Sequence, residues 1–244
     1  MISNSTQLVS VIIPTYNNRG TLKRAVESCL KQTYKDLEVI VVDDNDPGSN
    51  ARKETERVMG SFRNISNVIY ICHDKNKNGA AARNTGIKNS HGSFISFLDD
   101  DDYLLDDYYS NIFNAVDTYG SHFNNICFNH KRLSHKDNDR EYIAARRNAP
   151  IKEPRLHTID NSSFNAHCVI WTHIYNRDWL IRNNIKFPET YTCESLHQNK
   201  DEDSYFNCLC YNYDELVSIL KASGKDIVEF TGIMSNPTYA KVQE

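Results

Sequence analysis

The chain has 244 residues, a formal net charge of −4, and 39% hydrophobic and 25% charged residues. These values are ordinary for one large globular domain, and the weak negative charge gives no basic footprint for nucleic acid. No apolar run reaches the ~18 residues that a membrane span needs, and residues 1–10 lack the pattern of a secretion signal.

The first hundred residues alternate between strand-like and helix-like patterns. Apolar, β-branched runs predict four strands, at 8–15, 37–42, 68–72 and 93–98. Between them, helical spacing of apolar residues from Leu22 to Leu30, a turn at 46–50 and the small residues of 79–90 predict three helices. This alternation is typical of a parallel sheet covered on both faces, so we expect an α/β fold whose strands all end at one edge.

The second half is less regular. Its patterns predict a helix at 108–116, strands at 122–129 and 166–175, a short helix at 179–184, and helices at 203–211 and 214–222. Residues 131–164 are polar, charged and poor in periodicity, which indicates a long mobile loop.

Acidic clusters follow two of the predicted strands. Asp99 to Asp102 follow the fourth strand, and Asp43-Asp44 follow the second. Because four adjacent carboxylates repel one another, the first cluster favours a site for Mg²⁺ or Mn²⁺, with a solvated turn that caps the next helix as the alternative. The second cluster offers acceptors for a base N–H or for ribose hydroxyls, or else an N-cap for the following helix.

The turn after the first strand carries Tyr16, whose ring offers a flat face for a nucleobase; a simple helix start is the alternative. Neither GxGxxG after the first strand nor GxxxxGK[ST] occurs, so the usual phosphate-binding loops are absent. A nucleotide bound here would therefore depend on carboxylates and a metal ion.

Four segments together resemble family 2 glycosyltransferases in order and spacing. They are VSVIIPTYN (9–17), VIVVDDN (39–45), NGAAARNTGI (78–87) and SFISFLDDDD (93–102). The resemblance implies the GT-A fold (a Rossmann-like, mostly parallel sheet flanked by helices), a divalent metal and an inverting mechanism. It divides the chain into a nucleotide-sugar-binding half (1–130), the loop (131–165) and an acceptor-binding half (166–244).

The resemblance also implies roles for single residues by motif position. The implied donor-binding residues are Pro14, Thr15, Tyr16, Asp44, Asn78, Gly79, Arg83, Asp99 and Asp100. Asp99 and Asp101 would form the DxD element that holds Mn²⁺ or Mg²⁺, with Asp101 the principal ligand. For Arg83, a surface position or a structural ion pair is the alternative.

In the second half, Asp201-Glu202-Asp203 resembles the family's source of the catalytic base, with Asp203 as the base. Helix capping by these acids is the alternative. Residues 171–187 resemble the segment beneath the acceptor site. Many relatives carry a basic residue where His173 stands, so we favour a structural role for this histidine, and Trp171 and Trp179 could stack on a sugar or pack in the core.

The resulting prediction is an inverting transferase that moves a sugar from a nucleotide-sugar, UDP-linked, to a carbohydrate or lipid-linked glycan acceptor. Bacterial surface polysaccharide or lipopolysaccharide synthesis is the implied role. Seven scattered cysteines without a CxxC pair favour reduced thiols. We expect a cytoplasmic protein with at most peripheral attachment to the inner face of the membrane, and leave its oligomeric state open.

The sequence leaves two alternative functions open. A Mg²⁺-dependent phosphohydrolase would use an aspartate after a strand as nucleophile, although Asp102-Tyr103 places no Ser or Thr after the DxD element. A nucleotide-sugar-binding module without catalytic activity would keep the donor site and lack the base.

Overall fold

The computed structural model of the protein describes residues 7–119, 125–127, 170, 173–187, 189, 226–229 and 241–243. The predicted loop at 131–165 with its flanking boundaries, the helices predicted at 203–211 and 214–222, Trp171 and Asp203 lie outside these residues. Within the described ranges, no helix combines the length and the apolar character that a membrane crossing requires.

Strands and helices alternate along the chain from the first described element onwards. The elements are β1 (Val9–Thr15), α1 (Leu22–Leu30), β2 (Leu37–Asp43), α2 (Asn50–Gly60), β3 (Val68–Cys72), α3 (Asn78–Lys88), β4 (Phe94–Phe97), α4 (Tyr108–Tyr119), β5 (Asn125–Cys127), β6 (His173–Asn176), α5 (Arg177–Arg182), β7 (Asp226–Glu229) and β8 (Lys241–Gln243). The strands and helices predicted over the first hundred residues are confirmed, whereas β7 and β8 were not predicted.

The main sheet has six strands in the order β3-β2-β1-β4-β6-β5. The first four are parallel, while β6 runs antiparallel to β4 and β5 runs antiparallel to β6. Thr15 pairs with Asp43 at the ends of β1 and β2, so these strands finish side by side. The predicted α/β class with a mostly parallel sheet is therefore confirmed, and the acidic strand ends share one edge.

The two faces of the sheet bury alternate residues of the same strands. From β1, Val9, Val11 and Ile13 pack with α1, α2 and α4, whereas Ile12 packs with α3 and α5 on the other face. The interior strands β1 and β2 are therefore apolar at most positions, as expected for buried parallel strands. The edge strand β3 differs, because four of its five residues are only half-buried. Its side chains still pack on both faces, Val68 and Tyr70 on one and Ile69 and Ile71 on the other.

Helix α3 lies unusually close to β1. A Cβ atom added at Gly86 would clash with the Cγ2 atom of Ile12, so glycine is required for this approach. Because a crossover helix returns antiparallel to its strands, the first turn of α3 lies at the carboxyl edge of the sheet.

A buried carboxylate stabilises the opposite edge. Glu38 Oε1 accepts hydrogen bonds from Ser10 Oγ at 2.5 Å, from His91 N at 2.6 Å and from Gly92 N at 3.2 Å. His91 Nδ1 lies 3.0 Å from the other carboxylate oxygen. Burial opposes ionisation of Glu38, but the bonds from Ser10 and His91 outweigh it and hold its pKa below the ordinary 4.5.

Replacing Glu38 with Ala should lower the free energy of unfolding at pH 7 by about 2 kcal/mol, because buried donors lose a charged acceptor. Since the folded-state pKa is lowered, this stabilisation is present above pH 4.5 and is lost as the pH falls through that pKa. Urea denaturation at several pH values measures both effects. Glu54→Gln, which removes an exposed ion pair with Arg57, is the control and should change little; equal effects of both variants would contradict the prediction.

Candidate functional site

A cavity of about 280 Å³ opens at the carboxyl edge of the sheet. Its walls come from the ends of β1, β2 and β4 and from α3. The lining residues are Pro14, Thr15, Tyr16, Asp44, Gly79, Ala82, Arg83, Asp99, Asp100 and Asp101. Every residue predicted from the sequence is in this lining except Asn78, which lies beside it, and Asp203, which lies outside the described residues. Ala82 was not singled out from the sequence.

The two adjacent acids after β2 have different surroundings. Asp43 is fully buried and contacts Arg52 Nε at 3.1 Å, while Tyr70 Oη donates to it at 2.5 Å and Asn45 N donates at 2.9 Å. These partners leave Asp43 a structural role. The N-cap of α2 is Ser49, which accepts a hydrogen bond from Arg52 N, so the acids do not cap this helix.

Arg52, on α2, holds the ends of β2 and β3 together. Its Nη2 atom donates to the main-chain oxygen of Asp43 at 3.2 Å, to that of His73 at 2.8 Å, and to that of Asn45. The Arg52 side chain is only 7% exposed. A buried guanidinium therefore joins the ends of β2 and β3, and no sequence pattern indicated it.

Asp44 differs from Asp43 because one of its oxygens has no hydrogen-bond partner among the described residues. Oδ1 accepts a hydrogen bond from Lys77 N at 2.8 Å and lies 2.6 Å from His73 Nδ1. Oδ2 is buried and has no hydrogen-bond partner in the described part of the chain. A buried unpaired carboxylate oxygen is costly, so the cavity presents an acceptor that a ligand N–H or O–H can satisfy.

The cluster after β4 forms its own turn. Asp102 N donates to Asp99 O at 3.1 Å, and α4 begins only at Tyr108, so the cluster does not cap that helix. Thr15 Oγ1 donates to Asp100 Oδ2 at 2.5 Å, and Arg83 Nη2 lies 3.2 Å from Asp99 Oδ1. Arg83 therefore forms the ion pair that the structural alternative expects, and it also lines the cavity.

Burial and neighbouring carboxylates raise the pKa values of two acids in this turn. Burial, offset in part by the hydrogen bond from Thr15, raises the pKa of Asp100. Burial and the carboxylates of Asp99 and Asp101 raise the pKa of Asp102 to about 6. A bound cation would relieve this crowding.

The donor set fits a hard divalent ion. Asp99 and Asp101 line the cavity and offer oxygen ligands, which Mg²⁺ and Mn²⁺ prefer. Among the residues with described positions, no three His, Cys, Asp or Glu side chains form a ready-made metal site. This arrangement suits an ion held by one or two carboxylates that completes its shell with phosphate oxygens and water.

Helix α3 links the cavity to the second half of the chain. Asn84 accepts a hydrogen bond from Phe187 N at 2.9 Å and donates to Phe187 O at 2.8 Å. Asn78, at a φ of 75°, donates to Glu189 O at 3.0 Å and accepts from Ala81 N at 3.0 Å. Asn78 therefore shapes the start of α3. Asn84, which the sequence did not single out, attaches the second half of the chain to α3.

Two residues of the second half have core surroundings. His173 is fully buried and stacks on Tyr175 with ring centroids 5.7 Å apart. Trp179 is partly buried and packs against the cluster on the α3 face of the sheet. Both positions agree with the structural interpretation of these side chains.

Residues 10–181 match the family model described as Glycosyl transferase family 2. An uncharacterized glycosyltransferase EpsJ of Bacillus subtilis is 27% identical over 87% of this chain and 58% of its own length. The Escherichia coli protein named UDP-Glc:alpha-D-GlcNAc-diphosphoundecaprenol beta-1,3-glucosyltransferase WfaP is 37% identical over 46% of this chain and 42% of its own. The chain thus spans only about half the length of these curated relatives.

A solved structure, S. aureus TarS 1–349 in complex with UDP, superposes with a TM-score of 0.63. It is 23% identical and covers 84% of this chain and 55% of the other. The predicted GT-A fold is confirmed by this likeness.

Replacing Arg52 with Met should destabilise the protein by about 3 kcal/mol or more, because the buried carboxylate of Asp43 would lose its charged partner. Thermal and urea unfolding measure the loss. Lys53→Met is the matched control, since the neighbouring Lys53 is exposed. Equal stability of the two variants would show that Arg52 does not hold this edge.

Proposed function

Because the chain belongs to glycosyltransferase family 2, we propose that it is an inverting transferase for a UDP-linked sugar. The acceptor is a glycan or a lipid-linked glycan. The observation that carries the proposal is a cavity lined by Asp44, which keeps a buried oxygen without a partner in the described chain, and by Asp99 and Asp101. Family membership gives no support to the phosphohydrolase alternative.

The nucleoside would lie against the end of β1. Tyr16 is 51% exposed and lines the cavity, so its ring is available to stack on a base. Asp44 Oδ2 would accept the ring N–H of uracil. Pro14 and Thr15 complete this wall.

The diphosphate would lie between α3 and the acidic turn. Arg83 would bind phosphate oxygens while it keeps its contact with Asp99. Gly79, in the first turn of α3, offers no side chain to obstruct the approach of the phosphates. Asp101 and Asp99 would hold Mn²⁺ or Mg²⁺, which when bound neutralises the charge that develops on the leaving diphosphate.

Inversion requires a base on the face of the sugar opposite the leaving group. The assignment of this role to Asp203 rests on the resemblance of the 201–203 segment, and it stays a prediction. Glu189, whose main-chain oxygen accepts from Asn78, precedes Asp203 by 14 residues, a length of chain that allows Asp203 to reach the cavity. The loop at 131–165 would exclude water from the donor sugar.

The acceptor class is proposed from the relatives. The E. coli relative is named for transfer onto a diphosphoundecaprenol-linked sugar. We propose a comparable role for this protein in bacterial surface polysaccharide or lipopolysaccharide synthesis, at the cytoplasmic face of the membrane through peripheral attachment.

The proposal predicts that UDP is released from a UDP-sugar in the presence of acceptor and Mn²⁺, and that EDTA suppresses the release. Asp203→Asn should lower the transfer rate by about 100-fold or more, since a general base contributes on this scale, while UDP binding persists. Asp101→Asn should weaken the Mn²⁺ dependence of both transfer and UDP binding.

Asp107→Asn serves as the matched control, because Asp107 is exposed and lies outside the cavity lining. Undiminished transfer by Asp203→Asn would remove the base assignment alone. Calorimetry that detects neither Mn²⁺ nor UDP binding to the folded protein would overturn the proposed function.

A further inference from the structure

We propose that His73 is a positioning residue that aims the carboxylate of Asp44 at the nucleobase and thereby sets base selectivity. Neither residue type nor spacing drew attention to His73 in the sequence. The inference rests on the proposed function, because it concerns how the donor cavity recognises its base.

The His73 ring bridges the cavity wall to helix α3. Its Nδ1 atom lies 2.6 Å from Asp44 Oδ1, and its Nε2 atom lies 2.8 Å from Thr85 Oγ1. An ionised carboxylate can only accept, so Nδ1 carries the proton that it donates. In the neutral ring, Nε2 then accepts a hydrogen bond from the Thr85 hydroxyl, which fixes both the tautomer and the ring orientation.

The backbone of His73 is held as firmly as its ring. Its N–H donates to Asp43 O at 2.9 Å, and its main-chain oxygen accepts from Arg52 at 2.8 Å. The residue is 6% exposed. Apart from its contact with Asp44, His73 is held by one ring contact and two main-chain hydrogen bonds, so its ring restrains rotation of the Asp44 carboxylate.

The restraint makes the two oxygens of Asp44 unequal. Oδ1 accepts hydrogen bonds from His73 Nδ1 and Lys77 N. Oδ2 is buried and has no hydrogen-bond partner among the described residues. Without His73, the carboxylate could turn and share its oxygens between Lys77 N and the ligand. With His73, one fixed acceptor remains for the ligand.

A fixed, acceptor-only oxygen discriminates between nucleobases. Uracil presents a ring N–H at N3 and can donate to Oδ2, whereas the N3 atom of cytosine is itself an acceptor and is repelled. The structure thus assigns the preference for uracil over cytosine to a histidine that does not need to touch the base.

The opposite edge of the sheet supplies a matched control. His91 contacts the carboxylate of Glu38 through Nδ1 at 3.0 Å, as His73 contacts Asp44, but it lies far from the cavity. A histidine–carboxylate contact through the same ring nitrogen, made here by a largely exposed ring, can therefore be removed without altering the donor site.

The test measures dissociation constants for UDP and CDP, each with Mn²⁺, by calorimetry on the full chain. The wild type should bind UDP about 10-fold or more tightly than CDP, as expected for one hydrogen bond to a charged group. His73→Leu should weaken UDP binding about 10-fold and leave CDP binding unchanged, so that the preference disappears. His73→Asn, whose side-chain amide can replace Nδ1–H, should keep most of the preference, and His91→Leu should keep all of it.

Thr85→Val tests the same arrangement if His73→Leu does not fold. It leaves the ring in place but removes its outer anchor, and it should reduce the preference for UDP by a smaller factor. Parallel weakening of UDP and CDP binding in the His73 or Thr85 variants, or an unchanged ratio, would overturn the positioning role. A wild type that binds neither nucleotide would instead overturn the proposed function.

Discussion

Repulsion between carboxylates dominates the carboxyl edge of the sheet, and the surrounding structure compensates for it. Parallel strands bring their ends together, so the acids after β2 and β4 must share one small region. Each of the more buried acids has a partner of opposite charge or a hydrogen-bond donor. The pairs are Asp43 with Arg52, Asp44 with His73, Asp99 with Arg83, and Asp100 with Thr15.

The protein satisfies the carboxylate of Asp43 completely but that of its neighbour Asp44 only in part. Asp43 has its acceptors occupied by Arg52, Tyr70 and Asn45, and it joins strands. Asp44 keeps one buried oxygen without a partner in the described structure. A fold normally removes such an atom because of its energetic cost, so the exception is informative about binding. The proposed binding chemistry therefore lies at the carboxylate that the protein leaves partly unsatisfied.

The same edge connects the donor cavity to the second half of the chain. Phe187 packs edge-to-face on Phe97 at 5.3 Å between ring centroids, and the Arg83 guanidinium lies 5.6 Å from the Phe187 ring centroid. Asn84 bonds to both main-chain polar atoms of Phe187. One aromatic residue of the second half thus contacts both a strand of the sheet and a residue of the cavity lining, which gives the two halves a common reference position.

The sequence alone determined the α/β alternation, the acidic strand ends and nearly all the lining of the cavity. The strands and their acidic ends follow from local patterns, because apolar runs define strands and parallel strands place whatever follows them at one edge. The lining residues of α3 were instead implied by the resemblance of their motif to family 2 glycosyltransferases. Tertiary structure alone decided that β6 inserts antiparallel between β4 and β5, that β3 is half-buried, and that His73 and Arg52 support the acids. The reason is physical, because the partner of a side chain is set by distance in space between segments far apart in the chain, and no local spacing encodes that distance.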